Sequence, residues 1–223
     1  MDPIKVEKII RSRRRTVALV VTQDATVVVR APWRTPVGYI EDYIYRNSAW
    51  IRRKLAEMAR RQAPRARKFV SGEEFLYLGK FYKLQVVDEL ASDVELGEGF
   101  FISKKAAGNA REVMARWYKT QAAKKIRQRA HWYALVTGLA PTSIKVSNAE
   151  KRWGSCGPLG TLNFSWRLVM APLRVIDYVV VHELVHLKEK NHSNRFWMAL
   201  EAIMPDYHEA KRWLKDNGHV LVV

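Results

Sequence analysis

The chain has 223 residues, long enough for one or two domains with a real hydrophobic core, and its 48% hydrophobic and 27% charged residues are ordinary globular composition. Its charge is not ordinary: 39 Lys+Arg against 22 Asp+Glu give a net +17, concentrated in residues 1–70, which hold 17 basic and 6 acidic residues. A single cysteine, Cys156, excludes an intrachain disulfide framework, and the apolar runs are too short for a membrane span.

In chain order, residues 4–31 read as strands, with TVALVV and ATVVVRAP rich in β-branched residues. Thr35 and Pro36 suit a helix start. Val37, Ile40, Ile44, Ile51, Leu55 and Met58 then recur at helical spacing, predicting one helix to about Arg61 with a gap at Asn47. RQAPRARK reads as a linker. FLYLGKFYKLQVV predicts a hairpin turning at Gly79-Lys80, and GFFIS a further strand. A long helix is predicted from about Ala106 to Thr137, stopped by Gly138 and Pro141. SIKVSN reads as a strand, RWGSCGPLG as a glycine-punctuated loop and TLNFSWRLVM as another strand. Pro172 opens a helix predicted over Leu173–Lys190, and short helices follow near 193–204 and 206–217. The basic N-terminus lacks an apolar signal core, so the expectation is a soluble cytoplasmic protein.

The stretch VVVHELVHLKEKNHSNRFW carries the chemistry. His182 and His186, four residues apart on a helix, put both imidazoles on one face, where they can hold one metal ion. Glu183 lies beside the first. This is the H-E-x-x-H arrangement, in which zinc lowers the pKa of a bound water towards ~7 and the glutamate accepts its proton as the water attacks. The surrounding run Ile176–Val181 is nearly all apolar, so a buried helix must find partners for these polar groups, and a metal supplies one.

A third ligand is needed, and His192, Glu201, Asp206 and Glu209 are the candidates. On a continuous helix His192 points about 120° away from His186, so the helix must stop first. Asn191 suits such a stop and Ser193 a restart, which favours His192. Trp153, Asn163, Phe164 and Tyr207 are candidate substrate-binding residues around the cleft, with packing as the plainer reading of the aromatics. Tyr207 and His208 also stand where an oxyanion-stabilising group is useful. Cys156 is either an auxiliary ligand or a buried turn cysteine. The basic N-terminal helix with Trp50, and the second helix with Trp117, Lys124, Lys125, Arg127 and Arg129, offer a nonspecific nucleic-acid surface.

RWGSCG, G-x-L-N-F-x-W-R-L, VIDYVVVHELVHL, NHS-x-x-FW and MPDY together resemble the YgjP-like metallopeptidases, also described as SprT-like or WLM-like zinc hydrolases, over at least residues 143–217. The resemblance implies an α+β fold: a zincin-like catalytic domain with a small sheet packed on the active-site helix, preceded by a strand-rich basic N-terminal module. The expected boundary separates residues 1–105 from 106–223. It also implies one Zn2+ per chain at His182, His186 and His192 with Glu183 as general base, and it implies little about the substrate. The reading adopted is water attack on a peptide bond, with a peptide or protein as substrate. Two alternatives stand beside it: metal-dependent hydrolysis of a nucleotide pyrophosphate bond, and a nucleic-acid-binding module with a structural zinc.

Overall fold

The computed structural model describes residues 4–22, 25–60 and 67–223. The chain divides by contacts into two units, residues 1–65 and 66–223. The expected boundary at 105/106 falls inside the second unit, whose first strands share one core with its long helix; of the expected linker RQAPRARK, residues 61–66 lie outside the described residues.

In the first unit, β1 (Val6–Ser12) pairs parallel with β3 (Val27–Pro32), and β2 (Ala18–Val21) pairs antiparallel with β3 on its other side. Alternation along β3 turns Val27, Val29 and Ala31 inward, where Val29 and Ala31 meet Ile40. Two helices follow, α1 (Val37–Arg46) and α2 (Ser48–Arg60), in place of the single helix expected. The break is Asn47, whose side-chain amide donates to the Tyr43 carbonyl at 2.7 Å and shares it with the residue's own backbone amide at 3.2 Å. Arg11 is structural: its guanidinium donates to the carbonyls of Pro32, Trp33 and Thr35 at 3.3, 3.0 and 2.7 Å.

The second unit is mixed α+β. β4 (Glu74–Tyr77) and β5 (Lys80–Val87) form a hairpin, and β7 (Phe100–Ser103) joins β5 in parallel with β6 (Val94–Leu96) on its far side. The turn is Leu78-Gly79, both with positive φ, one residue earlier than the expected Gly79-Lys80. Its amides donate to the carbonyls of Val169 and Met170, and a Cβ on Gly79 would lie 2.8 Å from the Pro172 side chain. The hairpin tip thus fixes the corner at which the site helix begins. That corner, Trp166–Met170, is a 3₁₀ turn, although the apolar run had predicted a strand throughout; only Thr161–Ser165 is extended. A short buried apolar run looks alike in either form.

The scaffold is α3 (Ala110–Thr137), closed by Gly138 in the left-handed conformation. Tyr118, Ala122, Ile126 and Ala130 form a buried stripe at four-residue spacing. Tyr118 donates its hydroxyl to the Leu76 carbonyl at 2.8 Å, tying α3 to β4. Arg129 grips Asp177 with two hydrogen bonds of 2.5 and 2.8 Å, tying α3 to α4 (Leu173–Val185). A third sheet, ordered β8 (Ser143–Ser147), β10 (Thr161–Ser165), β9 (Gly154–Cys156), turns Leu162 and Phe164 into the core. β9 is its outer strand and lies against α4. α5 (Asn194–Ile203) and α6 (Tyr207–Asn217) complete the unit. Among the described residues, no helix is long and apolar enough to cross a membrane.

Candidate metal centre

Ten of the thirteen residues of α4 are buried, so the helix is apolar on nearly every side. His182 and Glu183 sit in its last turn, and His186 caps it. The helix therefore ends well before the expected Lys190. From His186 onward the backbone tightens into turns, with Leu187 and Lys188 bonding three residues back. The His186 imidazole bonds the Glu189 carbonyl through Nδ1 at 2.8 Å, which rewards the early stop and leaves Nε2 free to ligate. His192 then enters from the loop, and Ser193 precedes α5 without a side-chain cap bond.

The three histidines converge. Ring centroids stand 4.9 Å apart for His182–His186, 4.9 Å for His182–His192 and 4.8 Å for His186–His192. One nitrogen from each lies within 4.8 Å of the others, and the Nε2 atoms of His182 and His192 are 2.9 Å apart. Ligand nitrogens on a tetrahedral zinc stand about 3.3 Å apart, so small adjustments reach that geometry. Phe196 lies against all three rings, at 4.9, 4.5 and 4.7 Å. Trp197 stacks on His192, Tyr207 on Trp197 and Tyr178 on Tyr207, and Tyr178 returns edge-on to His182. This circuit of rings holds the exposed His192 in place.

Burial, followed by the neighbouring His186, His192 and Lys211, pushes the His182 pKa down to about 3, so its ring is neutral at ordinary pH, as a metal ligand must be. His192 is lowered for the same reasons, burial first. Glu183 is 5% exposed, and burial pushes its pKa up to about 7 against the opposing charge of Arg152. Gly154 makes room for it: a Cβ there would lie 2.5 Å from Glu183 Oε1 and 2.6 Å from its Cγ. The glycine in RWGSCG was visible in the sequence, but nothing local linked it to Glu183.

Other candidates fall elsewhere. Glu201, Asp206 and Glu209 lie outside the cluster, and Asp206 is paired with Arg174 at 2.9 Å. Cys156 is also outside it, with its thiol 3.6 Å from the Gly157 carbonyl. Phe164 is fully buried, Tyr207 is buried within the ring circuit, and Trp153 packs on the core beside Gly218. Asn163 pairs with Ser155 on the face of the sheet opposite Gly154, and its Oδ1 is buried without a hydrogen-bond partner. His208 stacks on Tyr207 at 4.0 Å. A cavity of about 520 Å³ between the ends of α3, α4 and α5 contains neither Glu183 nor any of the three histidines. Arg129, one of the residues offered for nucleic acid, is occupied by Asp177.

The sequence pattern of the YgjP-like, metallopeptidase domain family matches residues 15–217. The chain belongs to this YgjP-like family. It is a metal-dependent hydrolase by that membership, and among the described residues the histidine triad is a group that could hold a metal ion. Among solved structures, the metallopeptidase zymogen of Pyrococcus abyssi abylysin is similar at 18% identity and a TM-score of 0.37, over 40% of this chain and 92% of abylysin. No curated protein matches the sequence.

Proposed function

We propose that this YgjP-like protein is a zinc peptidase of the cytoplasm, with His182, His186 and His192 holding one zinc ion per chain and Glu183 acting as general base. The observation that carries this reading is the convergence of three imidazoles within 4.8 Å beside a buried glutamate. The residues fit a zinc ion: all three donors are imidazoles, two of them are pushed towards the neutral form, and the His186 ring is oriented through its other nitrogen. Bound there, zinc would act as a Lewis acid towards the scissile carbonyl and make water more acidic.

The chain's own residues do the rest. Glu183, held in place by Gly154, accepts the proton of the attacking water on its carboxylate and returns it to the departing amide nitrogen as the C–N bond breaks. Desolvation of the carboxylate brings its proton affinity close to that needed for both transfers at neutral pH. The outer edge of β9 supports binding of an extended peptide by strand addition.

The test separates holding from chemistry. His182→Ala and His186→Ala are expected to lose bound zinc, measured by elemental analysis. Glu183→Ala is expected to keep one zinc per chain yet lose about 10²–10⁴-fold in peptide cleavage. Wild-type cleavage rates in Glu183→Ala would end the reading.

A further inference from the structure

The strand pairing of the first unit gathers its arginines. β1 runs parallel to β3 with Ser12 against Pro32, and β2 begins with Ala18 against Arg30. Everything between Ser12 and Ala18 therefore emerges at the end of the sheet where β3 runs out into Trp33 and Arg34. That crossing carries Arg13, Arg14 and Arg15. With Arg30 and Arg34, five arginines meet at one end of the sheet.

No acid answers them there. Between Lys8 and Ile40 the described residues hold neither aspartate nor glutamate. Arg13, Arg15, Arg30 and Arg34 are exposed, and none makes an ion pair among the described residues. Arg14 is half-buried, and its Nε is enclosed without a hydrogen-bond partner, which costs free energy until an acceptor arrives. The flanking acids are Glu7, Glu41 and Asp42. Glu7 follows Val6, which pairs with Val27 at the opposite end of the sheet, and Asp42 is paired with Arg46. Glu41, exposed on α1, leaves one opposing charge against five.

The same end presents a ring. The Thr35 amide donates to the Pro32 carbonyl at 3.2 Å, so Trp33 and Arg34 are the corner residues of a tight turn. Arg11 clamps that turn through the carbonyls of Pro32, Trp33 and Thr35. The Trp33 side chain is 63% exposed and makes no ring or cation–π contact among the described residues. The sequence had pointed instead to the helices with Trp50 and Trp117. Trp50 is half-buried and Trp117 packs edge-on against Tyr77 and Phe100, whereas Trp33 is open.

The chemistry of the patch selects its partner. Every charge on it is arginine, while Lys5 and Lys8 stand at the start of β1. A guanidinium grips phosphate through paired donors and stacks on flat rings, which an ammonium does not do. An acidic lipid surface would be met equally well by lysine. In a duplex the faces of each base are covered by its neighbours, so an open indole meets a base only where the strand is single. We propose that this end of the first sheet binds single-stranded nucleic acid, with the arginines on its phosphates and Trp33 stacked on a base. Such binding needs neither the metal centre nor a peptide substrate.

Full-length protein is titrated with fluorescent oligo(dT) and oligo(rU) of about 12 nucleotides, a duplex of equal length, and phosphatidylserine vesicles. Five phosphate contacts on a single strand give a slope of about −3.5 in log affinity against log salt, so binding at about 200 mM salt is expected to be roughly 100-fold weaker than at about 50 mM. Arg13→Ala/Arg15→Ala is expected to make the slope shallower by about 1.4. Trp33→Ala is expected to weaken binding roughly 5- to 100-fold with the slope unchanged, and Trp33→Phe to recover most of the loss. All three substituted positions are exposed, so the variants are expected to keep the wild-type circular dichroism spectrum. Lys124→Ala/Arg127→Ala, exposed on α3, is the control and is expected to change neither affinity nor slope. Binding of either strand in this pattern upholds the proposal, and the tighter of the two identifies the sugar as deoxyribose or ribose. Wild-type affinity in Trp33→Ala, a duplex bound as tightly as the single strand, or an equal loss of slope in the α3 control overturns it. Failure to bind either strand at about 50 mM salt also overturns it, and vesicles bound in their place would turn the patch into a lipid surface.

Discussion

Gly154→Ala tests the coupling between β9 and the proposed base. The added Cβ would stand 2.5 Å from Glu183 Oε1, 2.6 Å from Cγ and 2.9 Å from Cδ. Carbon–carbon contacts are comfortable at about 3.5–4.0 Å, so either the carboxylate or β9 must retreat by about 1 Å. Glu183 is 5% exposed on a helix sealed by its neighbours, and β9 is bonded to β10, so neither yields freely. A displacement of about 1 Å at a reacting group costs on the order of 10²-fold in rate, and overpacking costs about 1–3 kcal/mol in stability. Peptide cleavage by zinc-loaded protein, zinc content and thermal melting are measured together. Zinc content is expected to hold, because the three atoms nearest the new methyl all belong to Glu183 and none to a histidine. Gly157→Ala is the control: its Cβ would meet only ordinary contacts of 3.5 and 3.8 Å to Thr161. Gly154→Ala with activity within threefold of wild type would refute the reasoning.

Two further outcomes follow from the same geometry. Asp177 has a side chain 6% exposed and, among the described residues, is paired with Arg129, so Arg129→Met leaves a buried carboxylate uncompensated and is expected to cost about 3–5 kcal/mol by chemical denaturation; Arg129→Met/Asp177→Leu recovers most of it, and equal costs for the single and double variants would contradict the account. In protein kept metal-free with a chelator, the Glu183 pKa is raised from 4.5 to about 7, so its contribution is full below 4.5 and is lost as pH rises through 7. Glu183→Gln should therefore gain on wild type by up to about 3 kcal/mol between pH 5 and 8, and a pH-independent difference would show that the folded-state carboxyl titrates normally.

The paired histidines and their glutamate were readable because a helix brings residues four apart together whatever surrounds it. His192 was reached as a candidate through a helix stop at Asn191 and a restart at Ser193, and the point where the helix stops was misplaced, since α4 ends at Val185. Lys188, Glu189 and Lys190 are good helix formers, and the hydrogen bond from His186 to the Glu189 carbonyl that ends the helix has no signature in composition. The same limit made Asn47 look like a gap in one apolar stripe, where the structure divides two helices. Contacts distant in sequence were out of reach. Arg129 looked like one cation among several on a helix until Asp177, 48 residues on, appeared opposite it. Gly154 looked like loop punctuation until Glu183 filled the space it leaves.

The enclosure of α4 has a consequence for how this protein can change over generations. With ten of thirteen positions buried, nearly every substitution in that helix meets a packed neighbour, so its tolerated alphabet is confined to apolar residues of similar volume. Lys188, Lys190 and Asn191 in the loop after His186 and the outer faces of α5 and α6 are exposed and free to vary. Descendants can therefore acquire new targets by redecorating those surfaces while the helix that carries the histidine pair and Glu183 stays nearly frozen.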